Sequence, residues 1–230
     1  MYREQPADLP GAVLWTRAVP STVQPARVLP DGCLDLIWSS RAGLLVAGPD
    51  TVAQVAHSAP GERYVGLRLP PGVGPAVFGV PACDLRDQRV PLAALWPRAL
   101  VSEIADRVAA GAAGAVLTSV AAGRLRRAGG PDPMATALVG WLAAGEPVGV
   151  VAARVGLGAR HLHRRCQALF GYGPKTLARI LRMGGALDLA RSGVPLAEVA
   201  ARSGYADQAH LTREVRDLAG VPPTALLRAG

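Results

Sequence analysis

The chain has 230 residues, half of them apolar, and 25 Lys+Arg against 17 Asp+Glu give a net charge of +8. That length holds one large domain or two moderate ones with ample material for buried cores, and the absence of any uncharged apolar run of about 18 residues excludes a helical membrane span. Three cysteines are too few, and odd in number, for a disulfide framework; with no signal-peptide pattern at Met1–Asp8, a reducing cytoplasm is the expected compartment.

Up to about residue 90, Pro and Gly divide the chain into short apolar runs. Strands are expected at Cys33–Trp38, Gly43–Ala47, Arg63–Leu69 and Ala76–Val80. Turn signals at Pro30-Asp31-Gly32, Gly48-Pro49-Asp50, Pro60-Gly61 and Pro70-Pro71-Gly72 separate them. Such spacing predicts a small antiparallel barrel or sandwich. Asp31, Asp35 and Arg68 are the charged positions in this region to consider for a ligand, although a solvated sheet face is the better account of them.

Helical patterning begins near Pro91, where Leu92, Leu95 and Trp96 share a face, and continues through Ser102–Val108 and Ala115–Leu125. The stretch Arg124–Pro133 is basic, then rich in Gly and Pro, and is the expected boundary. It divides the chain into 1–128, β-rich with a helical extension, and 132–230, all-helical and opened by Asp132-Pro133. The fold class expected is therefore α+β in two domains.

The second domain contains a duplication. Val151-Ala-Ala-Arg-Val-Gly156 reappears as Val199-Ala-Ala-Arg-Ser-Gly204, and Leu162, Gly171 and Pro174 recur as Leu211, Gly220 and Pro223. Two copies are too few for a solenoid, which needs about three units; each instead reads as a helix-turn-helix. Val148, Val151, Ala152 and Val155 make one apolar face, repeated by Leu196, Val199, Ala200 and Ser203. Gly156 and Gly204 supply the turn. A second helix follows in each copy, with stripes Leu162, Cys166, Leu169 and Leu211, Val215, Leu218.

Fixing the stripes fixes the opposite faces. The first carries Arg160, His163, Arg164 and Gln167; the second carries Ala209, Thr212, Arg213 and Arg216, with Gln208 at its start. Arg can donate twice to guanine, Gln pairs with adenine, and a Thr methyl can touch thymine. Between the copies, Pro174–Ser192 has no internal Pro and, as one helix, would span ~28 Å. Successive major-groove faces lie about 34 Å apart, so one chain could present two reading heads. From Met134 onward there are 12 Lys+Arg and 6 Asp+Glu, against 13 and 11 before it, so the positive excess is concentrated on this half, as a polyanion partner requires.

Met134–Arg228 resembles the AraC-type transcription regulators, most specifically at Ala197–Arg213 and Gly220–Pro223, and also at Gly158–Arg165 and Gly171–Lys175. The resemblance implies an all-helical, two-headed DNA-binding domain. Base contacts would fall on Arg160, His163, Arg164, Gln208, Ala209, Thr212 and Arg213. Apart from the resemblance, Arg165, Gln167, Lys175, Arg179 and Arg216 are the expected phosphate contacts. Cys166 and Val215 stand where the family usually has an aromatic residue, which makes each core contact smaller. The N-terminal part is similar to the β-rich domain of some actinobacterial AraC-like regulators, through Leu29–Trp38, Ala47–Asp50, Val65–Gly72, Gly79–Asp87 and Pro91–Trp96. By that analogy it would sense a small-molecule effector or pair with a second copy to form a homodimer, and RNA polymerase would be a further partner.

Other chemistry finds little support. Cys33, Cys83, His57 and Asp35 have metal-ligand types but no ligand spacing. Nothing marks Cys33 and His57 as nucleophile and base, His161 and His163 diverge on their helix, and Gly111–Gly114 lacks the sequel of a phosphate loop. No catalytic residue, metal or cofactor is expected. The alternatives are a helical protein-interaction module with a basic face, a small-ligand-binding protein with vestigial DNA binding, and an enzyme housed in the β-rich half.

Overall fold

The computed structural model describes residues 2–21 and 26–228. Residue 1 and residues 229–230, the outer ends of the two expected domains, lie outside the described residues. Among the described residues, eight strands lie in the first half: β1 (Tyr2–Pro6), β2 (Val13–Ala18), β3 (Ala26–Val28), β4 (Leu34–Ser39), β5 (Gly43–Ala47), β6 (Gln54–Ala56), β7 (Arg63–Leu69) and β8 (Arg89–Pro91). Six form an antiparallel sheet in the order β1-β2-β7-β4-β5-β8, and β3 pairs with β6 as a separate ribbon.

The sheet is open, with β1 and β8 at its edges, so the expected barrel does not close. The reason lies in what covers it. Leu34 and Leu36 of β4 and Leu67 and Leu69 of β7 alternate onto one face and are fully buried. That face is covered by helices α1 (Gly74–Phe78), α2 (Arg98–Ala109) and α3 (Ala113–Arg127), with Val77, Ile104, Leu117 and Ala121 in the same cluster. Each such leucine contributes roughly 1.5–3 kcal/mol by leaving water, and one layer of helices is enough to cover the sheet.

The strand expected at Ala76–Val80 is instead α1. Pro75 takes a first-turn position, where its fixed φ favours a helix. Gly79, at φ 80°, ends the helix by donating its N–H to the Pro75 carbonyl. The apolar run 76–80 could not distinguish the two outcomes. Strand β1 was not foreseen because all five of its residues are exposed and it has no apolar alternation. The helices expected after Pro91 form, except that Leu92–Ala94 makes only a 3₁₀ turn.

The second half is helical: α4 (Pro133–Ala143), α5 (Val148–Arg154), α6 (Ala159–Phe170), α7 (Pro174–Arg191), α8 (Leu196–Arg202), α9 (Gln208–Ala219) and α10 (Pro223–Arg228). Asp132 caps α4 by accepting from the Met134 N–H at 2.8 Å. Leu138, Leu142, Val151, Leu162, Cys166, Leu177, Ile180, Val199, Leu211 and Val215 share a second buried cluster, separate from the first. Among the described residues, no helix is long and apolar enough to cross a membrane.

Candidate nucleic-acid interface

The duplicated motif forms two helix–turn–helix pairs, α5–α6 and α8–α9, joined by α7. Gly156 and Gly204 adopt φ of 65° and 72°, the left-handed turn expected of them. The stripes Leu162, Cys166, Leu169 and Leu211, Val215, Leu218 are all buried. Cys166 and Val215 are each 0% exposed, so the core closes over the smaller side chains.

On the opposite faces, Arg160, His163, Arg164, Gln208, Ala209 and Arg213 are exposed and Thr212 is half-buried. The Thr212 hydroxyl donates to the Gln208 carbonyl at 2.8 Å, which satisfies it within the helix. The His163 ring lies against Gly173: a Cβ built there would sit 2.4 Å from it. Among the described residues, Arg160, Arg164, Arg213 and Arg216 have no ion-pair partner, and Lys175 is exposed. A groove of about 510 Å³ is bordered by His163 and Gln167 of α6, by Asp217 and Leu218 of α9, and by Thr51 and Arg86 of the β-rich half.

Two arginines expected at phosphates are engaged elsewhere. Arg165 pairs with Asp132, the residue that caps α4. Arg179 lies 3.3 Å from Glu214 and 3.8 Å from Asp217. Arg182 of α7, not singled out in the sequence, donates to both oxygens of Glu214 and stacks over Tyr205, 4.5 Å from the ring centroid. A signal for this was present: Glu214 falls at i+3 in the stripe Leu211, Val215, Leu218, and an acid on a buried stripe needs a cation. Asp207 caps α9 by accepting from the His210 N–H at 2.6 Å, and His210 stands edge-on to Tyr205 at 5.3 Å.

The polar residues of the sheet's outer face also converge. Asp35 stands opposite Arg68 in the β4–β7 register. Arg68 lies 3.0 Å from Glu4, 3.4 Å from Asp31 and 3.8 Å from Asp35, and the Trp15 indole donates to Asp35 at 2.6 Å. Gly66 makes room for that indole, since a Cβ there would meet it at 2.1 Å. Burial raises the Asp35 carboxyl to about 6, against the opposing pull of Arg68. Burial alone would lower the Arg68 guanidinium, but Asp35 and Asp31 outweigh it and raise it. Burial, with Asp31 and Asp35, pushes the Cys33 thiol well up, away from the thiolate a nucleophile requires.

Residues 151–229 match a family model described as a helix-turn-helix domain, and residues 12–91 match a domain of unknown function, DUF6597. No curated protein matches the chain. Among solved structures, apo ToxT K231A from Vibrio cholerae is 8% identical, with a TM-score of 0.53 over 97% of this chain and 99% of that one. ToxT from Vibrio cholerae O395 bound to (E)-4-(8-methylnaphthalen-1-yl)but-3-enoic acid is 8% identical, with a TM-score of 0.50 over 99% and 98%. A probable AraC family transcriptional regulator from Rhodopseudomonas palustris is 21% identical over 43% of this chain and 97% of that one, with a TM-score of 0.37. The ToxT likeness extends the two-part fold over nearly the whole chain.

Proposed function

We propose that this chain, whose residues 151–229 match a helix-turn-helix family model, is a regulator of the AraC type and reads two successive major grooves with α6 and α9. It is a DNA-binding transcription regulator. In our reading Arg160, His163, Arg164, Gln208, Ala209, Thr212 and Arg213 meet base edges, while Lys175, Arg216, Gln167, and Arg165 and Arg179 when released from their carboxylates, meet phosphate. The observation that carries this reading is the exposure of Arg160, Arg164, Gln208 and Arg213 on two helices whose other sides are sealed into a single core.

Residues 132–230 are the reading domain and 1–128 a non-enzymatic regulatory domain, which would respond to a small-molecule effector or a second copy of the chain. The mutual ion pairing of Asp31, Asp35 and Arg68 favours a structural knot over an effector site, so the regulatory proposal does not rest on them.

Fluorescence-anisotropy titration of the full chain against random duplex tests the core of the reading. Binding that weakens steeply with salt, through release of counterions, is expected. No binding at low salt would leave the basic helical face as a protein-interaction surface.

A further inference from the structure

One short loop of the β-rich half touches the ends of both reading helices. At one end Pro49 packs on Gly171, which terminates α6: a Cβ there would lie 2.5 Å from Pro49 Cγ. Arg86 donates to the Gly171 carbonyl at 3.3 Å. At the other end the Ala53 N–H donates to the Leu218 carbonyl, in the last turn of α9, at 2.7 Å. Arg27 donates to the adjacent Ala219 carbonyl at 2.9 Å. The Leu218 and Ala219 carbonyls belong to the set a helix leaves unpaired at its C-terminus, and the Gly171 carbonyl follows directly on α6; at both ends the helix dipole favours a cation.

The loop is held from behind. Arg89 grips Asp50, which is 6% exposed, at 2.9 Å and 2.5 Å. The Asp87 carboxylate accepts from Thr51 N–H at 2.7 Å and from its hydroxyl at 2.9 Å, and the Asp87 N–H donates to the Pro49 carbonyl at 3.1 Å. Asp87 itself sits at φ 58°, a left-handed conformation that a non-glycine residue keeps when its surroundings over-determine it.

We propose that the loop Pro49–Ala53 is a brace that sets the separation and rotation of α6 and α9, and that Arg27, Arg86 and Asp87 are positioning residues that decide which half-site spacing the protein accepts. The proposal rests on the DNA-binding reading and deepens it. Without the loop, α6 and α9 are related only through their shared packing on α7, which leaves room for small shifts of one head against the other. A second link between them closes a ring and removes the freedom before DNA arrives, so a misplaced half-site must strain either the brace or the duplex. One inserted base pair moves a half-site by about 3.4 Å along the axis and about 34° around it.

The test uses the full chain and a duplex that it selects from a random pool, together with derivatives carrying one or two base pairs added or removed between the half-sites. The native protein is expected to lose about tenfold or more in affinity for a one-base-pair change. The Arg27→Ala/Arg86→Ala double variant and Asp87→Ala are expected to shrink that ratio severalfold while binding an isolated half-site as the native protein does. Ala53→Pro, which deletes a single N–H, should do the same; if its melting transition shows that it does not fold, the arginine pair carries the test. An unchanged ratio in the arginine double variant, or a native protein indifferent to spacing, overturns the brace while leaving DNA binding intact. A native protein that binds no duplex overturns both.

Discussion

Arg182 of α7 donates to both carboxylate oxygens of Glu214 of α9, from Nη2 at 2.6 and 2.8 Å and from Nε at 3.1 Å. Glu214 is 7% exposed, so this pair fixes α9 to α7 at a site where an unmatched charge is costly. Glu214→Gln leaves Arg182 without a counter-charge and Arg179 with only Asp217 at 3.8 Å, and should destabilise the fold by about 2–4 kcal/mol. Arg182→Met should cost more than Arg179→Met, because Arg182 makes three of the bonds and also stacks on Tyr205, whereas Arg179 makes one at 3.3 Å. Denaturant unfolding of the three variants checks the order; equal losses for the two arginines would contradict it.

Arg164 and Arg213 occupy equivalent places on α6 and α9, and both are exposed. Replacing either with Ala should cost about 1–3 kcal/mol on the selected duplex and much less on random duplex. Parallel titrations decide the matter: an equal loss on both duplexes would mean that the side chain meets only phosphate.

Asp132 both caps α4 and neutralises Arg165. Asp132→Ala should therefore act in two opposite directions. Loss of the cap lowers stability by about 1 kcal/mol, while release of Arg165 raises affinity for random duplex and steepens the slope of log K against log salt by about 0.9. A salt titration that gave the same slope as the native protein would show that Arg165 reaches no phosphate.

Asp35 gives the β-rich half a pH signature. Burial raises its pKa from 3.8 to about 6 in the folded chain. Between those values the folded state keeps a proton that the unfolded chain has lost, so rising pH subtracts stability across that window, on the order of 2–3 kcal/mol in total. Asp35→Asn keeps an acceptor for the Trp15 indole but does not titrate. Unfolding free energies measured from pH 4 to 7 should show the native protein falling relative to the variant, chiefly below pH 6; parallel curves would remove the assignment.

Gly171 and Gly156 both adopt positive φ, 85° and 65°, but only Gly171 is crowded, by Pro49. Alanine at Gly156 should cost about 1–2 kcal/mol for the left-handed backbone alone. Alanine at Gly171 should cost more, because Pro49 must also move. Melting curves of the two variants compare them directly.

The helical half was legible from its residues because its information is periodic and local. The stripes through Leu162 and Leu211, the glycine turns and the outward placement of Arg160, Arg164 and Arg213 follow from 3.6 residues per turn. In the β-rich half, Leu34–Ser39, Gly43–Ala47 and Arg63–Leu69 were foreseen, since apolar runs between turn signals define them. The run 76–80 went the other way, because Pro75 and Gly79 decided a case that periodicity left open.

Only the tertiary structure decided which cations are free and which are spent. Arg165 meets an aspartate 33 residues away, and Arg27 a carbonyl 192 residues away, separations at which no local pattern operates. Helical and strand periods place a side chain on a face; what it meets there depends on how distant elements pack, and that packing ties one loop to the ends of α6 and α9.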